Sequence, residues 1–261
     1  MIMATRYGLL GHPLGHSFSK KFHSERFANL GIDAIYENYD IEDINNLMKV
    51  LYETPDLIGL NVTIPYKQKV MDFLDDLDPL AEQIGAVNTI KITHLDKNDK
   101  LYFKTKLEGL YLKGYNTDII GFTDSIKPML NVSHKKALIL GTGGASKAVK
   151  VGLENLNIDA VFVSRSSAVD RLTYEELSKE IMEDYTVIVN CSPVGMFPNI
   201  EECPAIPYEY ISCNHVCFDA IYNPVETLFM KKAKERGASV KCGYEMLVGQ
   251  ALASYDIWTR P

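Results

Sequence analysis

The stretch Lys136 to Val149, K-A-L-I-L-G-T-G-G-A-S-K-A-V, constrains the fold more than any other. A short apolar run, Ala137 to Leu140, has the length of a buried parallel strand and breaks at Gly141, Gly143 and Gly144 before a helix-compatible segment. The pattern predicts a strand, a tight turn and a helix start. Residues without a Cβ let the backbone turn sharply and approach a pyrophosphate, whose charge then rests on N–H groups at the positive end of the helix dipole. The dinucleotide fingerprint ends in a third Gly or Ala; here Ser146 takes that place, so the stretch by itself reads equally as a plain glycine-rich turn.

The following strand, Ala160 to Val163, leads into Ser164, Arg165, Ser166 and Ser167, where the fingerprint puts its ribose-reading residue. An acidic side chain there would accept from a ribose 2′-hydroxyl and select NAD. Arg165 cannot accept, but its planar fork suits a 2′-phosphate and can stack on adenine. The expectation is NADP, the alternative a solvated surface arginine.

With 261 residues the chain has room for one large domain or two modest ones. A formal net charge of −7 argues against a nucleic-acid partner. No apolar run approaches the roughly 20 residues of a membrane span, and the opening M-I-M-A-T-R-Y-G-L-L-G has no long apolar leader region, so the expectation is a cytoplasmic protein without a membrane partner. The five cysteines, Cys191, Cys203, Cys213, Cys217 and Cys242, are an odd number and read as free thiols. Cys213, His215 and Cys217 lack a second close-spaced ligand pair, and no metal is expected.

In chain order, Thr5 to Gly11 reads as a strand and Ser17 as the N-cap of a helix that runs to about Leu30 and stops at Gly31. Ser17 and Ser19 also place two hydroxyls in a strand-to-helix loop, where a small carboxylate would bind, and the residues leave both accounts open. Strands at Ala34 to Tyr39 and Ile58 to Ile64 flank a helix from about Glu42 to Tyr52, an alternation that implies parallel pairing. Pro65 would then open a helix in which Lys67 shares a face with Val70, Met71 and Leu74. A lysine on such a stripe either snorkels or overhangs the sheet edge, where partial burial would suit it to proton exchange near neutrality.

Ile84 to Ile92 reads as a turn into a strand, with Asn88 a side chain able both to donate and to accept. His94 to Lys100 looks like a hairpin tip before Leu101 to Lys106. Asp118 is either a simple N-cap of the helix Ile119 to Met129 or a carboxylate that orients Lys67. Further short strands are expected at Thr186 to Val189 and Val216 to Phe218, with helices at Val225 to Arg236 and Glu245 to Trp258. On the last, Met246, Gln250, Ala253 and Ile257 share one face; Gln250, as a buried amide, either ties loops together or touches a polar ligand.

The blocks G-H-P-L-G-H-S-F-S, N-V-T-I-P-Y-K, G-A-V-N-T, G-Y-N-T-D, G-T-G-G-A, N-C-S-P-V-G-M, D-A-I-Y-N-P and G-Y-E-M-L-V-G-Q, in this order over nearly the whole chain, resemble the shikimate dehydrogenase family. The resemblance implies an α/β fold of two domains with a cleft between them. An N-terminal α/β substrate domain would cover 1–119, a Rossmann-like NADP-binding domain 120–237, and the C-terminal segment 238–261, with its helix, would return to the substrate domain. It implies NADPH-dependent reduction of 3-dehydroshikimate to shikimate in aromatic amino-acid biosynthesis, by a monomer or homodimer. Lys67 would be the acid/base residue and Asp118 its partner, both touching substrate. Ser17 and Ser19 would hold the substrate carboxylate, and Thr63, Asn88, Tyr222 and Gln250 its hydroxyls or ring. Gly141, Thr142, Gly143, Gly144 and Ala145 would cradle the pyrophosphate, Ser164, Arg165 and Ser166 would read the 2′-phosphate, and Ala220 and Gly243 would lie at the cofactor. The alternatives are a broader quinate/shikimate dehydrogenase and a non-catalytic metabolite-binding homologue. Lys20 stands where the family commonly has proline in S-x-S-P, serines flank Arg165 where N-R-T is usual, and Cys191 and Ser192 replace the more usual Ala and Thr.

Overall fold

The computed structural model describes residues 5–15 and 17–260; the first four residues, His16 of the G-H-P-L-G-H-S-F-S block and Pro261 lie outside them. The chain forms two compact units, Met1–Thr117 with Ala251–Pro261, and Asp118–Gln250. The return to the first unit thus comes at Ala251, part-way along the last helix, rather than at 238. The reason is local: Ser239–Cys242 is a strand of the second sheet, which the sequence reading did not foresee.

In the first unit β1 (Thr5–Gly11) leads to α1 (Phe18–Leu30), capped by the Ser17 side chain and closed by Gly31 in the left-handed conformation. Then come β2 (Ala34–Asp40), a 3₁₀ turn with α2 (Leu47–Glu53), β3 (Leu57–Val62), β4 (Asp76–Leu77), α3 (Pro79–Ile84), β5 (Thr89–His94) and β6 (Leu110–Tyr115). The sheet order is β2-β1-β3-β5-β6-β4. β1 pairs parallel with β2 and β3, as the strand–helix alternation implies, while β3–β5 and β5–β6 are antiparallel. The hairpin returns at Leu110, not Leu101, because residues 99–104 use their backbone bonds in turns, Tyr102 N–H to Asp99 and Lys104 N–H to Leu101.

The helix expected from Pro65 does not form. Only Lys69–Phe73 is helical, as a 3₁₀ segment, and the Lys67 carbonyl accepts from Val87 N–H at 2.7 Å instead of from its own chain one turn on. Lys67 therefore belongs to a turn, and the stripe shared with Val70, Met71 and Leu74 is not a helix face. Val70 and Leu74 are nevertheless buried, in a core with Leu10, Leu60, Val62, Val87, Ile90 and Leu112.

A second cluster in this unit gathers Tyr7, Phe27, Tyr36 and Trp258. His23 is fully buried among them, its ring stacked on Tyr36 at 4.6 Å, and neither ring nitrogen has a hydrogen-bond partner among the described residues. Burial pulls its imidazole down to about 3, with nearby Arg26 adding to the effect.

The second unit contains α4 (Asp118–Ile126), β7 (Lys136–Leu140), α5 (Gly144–Asn155), β8 (Asp159–Ser164), β9 (Arg171–Thr173), α6 (Lys179–Asp184), β10 (Val187–Asn190), β11 (Val216–Asp219), α7 (Leu228–Glu235), β12 (Ser239–Cys242) and the start of α8 (Tyr244–Thr259). Its strands are all parallel, ordered β12-β11-β10-β7-β8-β9. Counted from β7 this is 3-2-1-4-5-6, the doubly wound Rossmann order, with its switch point between β7 and β10. Apolar residues on both faces of β7 and β10 bury two layers, Leu138, Leu140 and Ile188 on one side and Ala137, Ile139, Val187 and Val189 on the other. Among the described residues no helix is long and apolar enough to cross a membrane, and all five cysteines are free.

His23 gives this architecture a measurable pH dependence. Its folded pKa lies below its unfolded one, so between about pH 6.5 and 3 the unfolded chain binds the extra proton and stability at this position falls as pH drops, at most about 1.4 kcal/mol per pH unit. Denaturant titrations of the wild type and of His23→Phe between pH 5 and 7 should show a shallower decline for the variant; parallel curves would contradict the assignment.

Candidate functional site

In the first unit the strand registers decide which loops share an edge. Leu10 lies beside Val62, Asn61 opposite Thr89, and Thr89 opposite Tyr115. The carboxyl ends of β1, β3 and β6 and the beginning of β5 therefore meet at one edge of the sheet, which carries Ser17, Ser19, Thr63, Lys67 and Asn88. Small-molecule sites of open α/β sheets sit at such an edge.

Ser17 Oγ accepts the Lys20 N–H at 3.1 Å, so the helix-cap account is correct. Ser19, half-buried, lies in the first turn of α1. The loop before them is tethered by Asp40, which accepts from Leu14 N–H at 2.8 Å and contacts His12 Nδ1 at 2.7 Å. Thr63 and Lys67 are half-buried. The 2.7 Å bond from Val87 N–H holds the Lys67 backbone beside the segment that carries Asn88. Asn88 is buried, and its Oδ1 accepts from Thr117 N–H at 2.7 Å. Asp118, buried at the head of α4, follows Thr117 directly; it is the first helical residue, one place beyond the cap position.

In the second unit the ends of β7, β8, β10, β11 and β12 are in register, Leu140 with Val163 and Asn190, Asn190 with Asp219, and Asp219 with Cys242. Their edge carries the glycine loop, Ser164 to Ser166, Ala220, Tyr222 and Gly243. Gly141 has φ +104, a backbone that L side chains rarely adopt. Thr142 and Gly143 are exposed, Gly144 and Ala145 half-buried, and α5 starts with neither a side-chain cap bond nor an acidic residue in its first turn. A Cβ on Gly143 would meet nothing within 4 Å. An open helix start of this kind fits the diphosphate of a dinucleotide, which it would bind through main-chain N–H groups. Ser146 is fully buried and donates its hydroxyl to the Gly143 carbonyl at 2.6 Å, so it belongs to the packing under the turn.

Arg165 is exposed just beyond β8, on a turn fixed by Ser164, whose Oγ donates to the Ser166 carbonyl at 2.6 Å and accepts from Ser166 N–H at 3.2 Å. Among the described residues no carboxylate pairs with it. Ala220 and Tyr222 follow β11, Tyr222 being 39% exposed. Gln250 is buried and donates to the Leu247 carbonyl of its own helix at 2.9 Å. Cys213, His215 and Cys217 do not assemble a metal site: His215 is committed to Met182 O at 2.9 Å and to Ser212.

Residues 9–90 match the family described as shikimate dehydrogenase substrate binding domain. The shikimate dehydrogenase (NADP(+)) of Methanosphaera stadtmanae is 35% identical over 271 residues, covering 97% of this chain and 90% of that protein. The crystal structure of shikimate 5-dehydrogenase from Thermus thermophilus in complex with NADP(H) and shikimate superposes with a TM-score of 0.80 at 29% identity, over 98% of this chain and 93% of the other. A chorismate mutase/shikimate 5-dehydrogenase fusion protein from Clostridium acetobutylicum gives 0.81 at 34% identity, over 98% and 91%.

The chain belongs to the shikimate dehydrogenase family.

Within this shikimate dehydrogenase fold, two groups of buried polar residues support the candidate loops, and sequence reasoning passed over both. In the second unit Asp219 accepts from Thr227 Oγ1 at 2.6 Å, Ile221 N–H at 3.0 Å and Asn190 Nδ2 at 3.1 Å, and Asn190 Oδ1 in turn accepts from Ser192. Burial pushes the Asp219 carboxyl up to about 6, against the pull of those three donors. In the first unit Asn61, Thr89, Thr117 and Ser254 do the comparable work. The available signals were the repeated Asn-Thr pairs at 88–89 and 116–117 and a serine one turn beyond Gln250.

Gly243 closes the arrangement: its N–H donates to the Ile221 carbonyl at 3.0 Å, and a Cβ would lie 2.3 Å from the Ala220 carbonyl oxygen. Gly243→Ala should therefore push the Ala220 loop aside and lower unfolding free energy by about 1–3 kcal/mol. A urea titration that leaves the midpoint unchanged would refute the close approach.

Proposed function

We propose that this protein is a shikimate dehydrogenase, catalysing the reversible NADPH-dependent reduction of 3-dehydroshikimate to shikimate in aromatic amino-acid biosynthesis. The near-full-length kinship with NADP-dependent shikimate dehydrogenases carries the reading, and the residues at the two sheet edges supply chemistry that fits it.

In this reading Ser17 and Ser19 donate hydroxyl hydrogens to the substrate carboxylate. Thr63, Asn88, Tyr222 and Gln250 bind its hydroxyls and ring. The bound cofactor contributes the hydride that reduces the ketone carbon. As the oxygen gains charge, the Lys67 ammonium stabilises it and gives up a proton to it; in the oxidative direction the neutral amine takes that proton back. Asp118 orients the ammonium and accepts from a substrate hydroxyl. Gly141 to Ala145 hold the pyrophosphate through their N–H groups, Ser164, Arg165 and Ser166 bind the 2′-phosphate, and Ala220 and Gly243 shape the cofactor's other end. The five free thiols suit a reducing compartment, and we extend the proposal to a cytoplasmic enzyme, monomeric or homodimeric.

A broader quinate/shikimate dehydrogenase is the second reading. Two serines at 17 and 19, rather than a serine and a threonine, favour shikimate. A non-catalytic homologue is disfavoured by the retention of both Lys67 and Asp118. Measuring NADP and NAD reduction with shikimate and with quinate separates all three.

Two substitutions test the assigned roles. Lys67→Ala should lower kcat by a factor on the order of 10² or more, the typical worth of acid/base catalysis, with NADPH affinity little changed; near-normal turnover removes Lys67 from the mechanism. Arg165→Ala should raise KM for NADP far more than for NAD, since only the former carries the extra phosphate. Equal losses would mean that the arginine does not read it.

A further inference from the structure

The first unit buries an unusual run of polar side chains: Tyr36, Asn61, Asn88, Thr89, Thr117 and Ser254 are each at most 4% exposed. Buried hydroxyls and amides are costly unless every hydrogen finds an acceptor, so their bonds can be followed one by one.

The direction of each bond is set by simple counting of hydrogens. Thr117 N–H can only donate, and it points at Asn88 Oδ1 from 2.7 Å, which fixes that atom of the amide as oxygen. Thr89 Oγ1 and Thr117 Oγ1 each lie 3.1 Å from the same oxygen and donate to it. Ser254 Oγ stands 2.8 Å from Thr89 Oγ1 and 3.0 Å from Thr117 Oγ1. With both threonine hydrogens given to Asn88, the single Ser254 hydrogen can go to one of the two threonine oxygens. Ser254 in turn accepts from Asn61 Nδ2 at 2.9 Å, and Asn61 Oδ1 accepts the Tyr36 phenol at 2.7 Å. The donors thus run one way, from Tyr36 through the core to Asn88 Oδ1.

We propose that Ser254, Thr89 and Thr117 are positioning residues for substrate: their hydroxyls hold the Asn88 carboxamide with its oxygen inward, so that its NH₂ is the end offered to a substrate oxygen. This inference rests on the reading of Asn88 as a substrate-binding group. It adds a specificity rule, that the substrate oxygen at Asn88 acts as an acceptor, and it gives Ser254, on the C-terminal helix, a role in substrate affinity although it need not touch substrate.

A double-mutant cycle decides the matter, with KM for shikimate, KM for NADP, kcat and thermal midpoint measured on the full-length enzyme. Ser254→Ala should raise KM for shikimate about tenfold, the order expected when a buried donor loses its acceptor and the network relaxes, and leave KM for NADP within twofold. In an Asn88→Ala background the same substitution should no longer change KM for shikimate, while any loss of thermal stability persists, since a purely structural contribution does not depend on Asn88. Should Ser254→Ala fail to fold, Thr89→Val, which removes the hydroxyl at nearly constant shape, takes its place, with Thr89→Ser as the hydroxyl-keeping control that should restore KM. An unchanged KM for shikimate in the wild-type background, or an equal rise in both backgrounds, overturns the proposal. If Asn88→Ala alone leaves KM for shikimate unchanged, the reading of Asn88 itself is at fault.

Discussion

Each unit depends on a buried oxygen acceptor at the end of a strand. Where strands leave a sheet, the next backbone amides lose their ladder partners, and if the loops are buried those amides must be satisfied by side chains. Asn88 does this in the first unit and Asp219 in the second, each accepting from one backbone N–H and two side chains. One acceptor with several lone-pair sites can bind loops that come from different strands. Asn88 links the start of β5 to the end of β6, and Asp219 links the loops after β10 and β11. The two are not equivalent in cost. A neutral amide is easily buried once its bonds are made, whereas the Asp219 carboxyl carries a desolvation penalty that its three donors only partly offset, as its upward shift to about 6 records.

Fixing loops in this way has a functional return. A hydroxyl or ammonium that must meet a charge as it develops is effective in proportion to how little it has to move. The candidate residues stand on tethered segments: Ser17 on a helix start, Lys67 on a turn whose carbonyl is bonded to Val87, Tyr222 on a loop pinned through Ile221 and Thr227. The loop ahead of Ser17 hangs on Asp40, whose carboxyl is held below its usual range by Leu14 N–H and then by His12.

What the sequence made legible was what is encoded locally. Ser17 and Gly31 bracket α1 as read, because capping chemistry acts over a few residues, and the glycine turn between β7 and α5 announces itself by composition. The turn at Lys67 was illegible for the opposite reason. Spacing alone favoured a helix, and what prevents one is a carbonyl taken by Val87, a residue distant in sequence. The same holds for Ser254, which periodicity places on the helix face of Gln250 but whose partners Asn61, Thr89 and Thr117 become neighbours only once three strands and a helix are in register. Strand β12 was missed because a four-residue edge strand with one half-exposed valine carries little pattern.

The departures from the family's usual residues fit the same logic. Proline at position 20 would have no N–H, yet here the Lys20 N–H is the donor that Ser17 caps at 3.1 Å, so the substitution adds a cap bond instead of weakening the helix start. Ser192 likewise commits its hydroxyl to Asn190 Oδ1 at 2.7 Å, which joins it to the Asp219 network. A threonine could make the same bond, so the exchange preserves the hydroxyl that the loop requires. Ser164 also keeps an oxygen where asparagine is usual, and uses it to shape the Arg165 turn. At all three places the donor or acceptor needed by the loop is retained or gained. The side chain's bulk is what varies, as expected if hydrogen-bond accounting at the strand ends, rather than shape, limits which residues these loops accept.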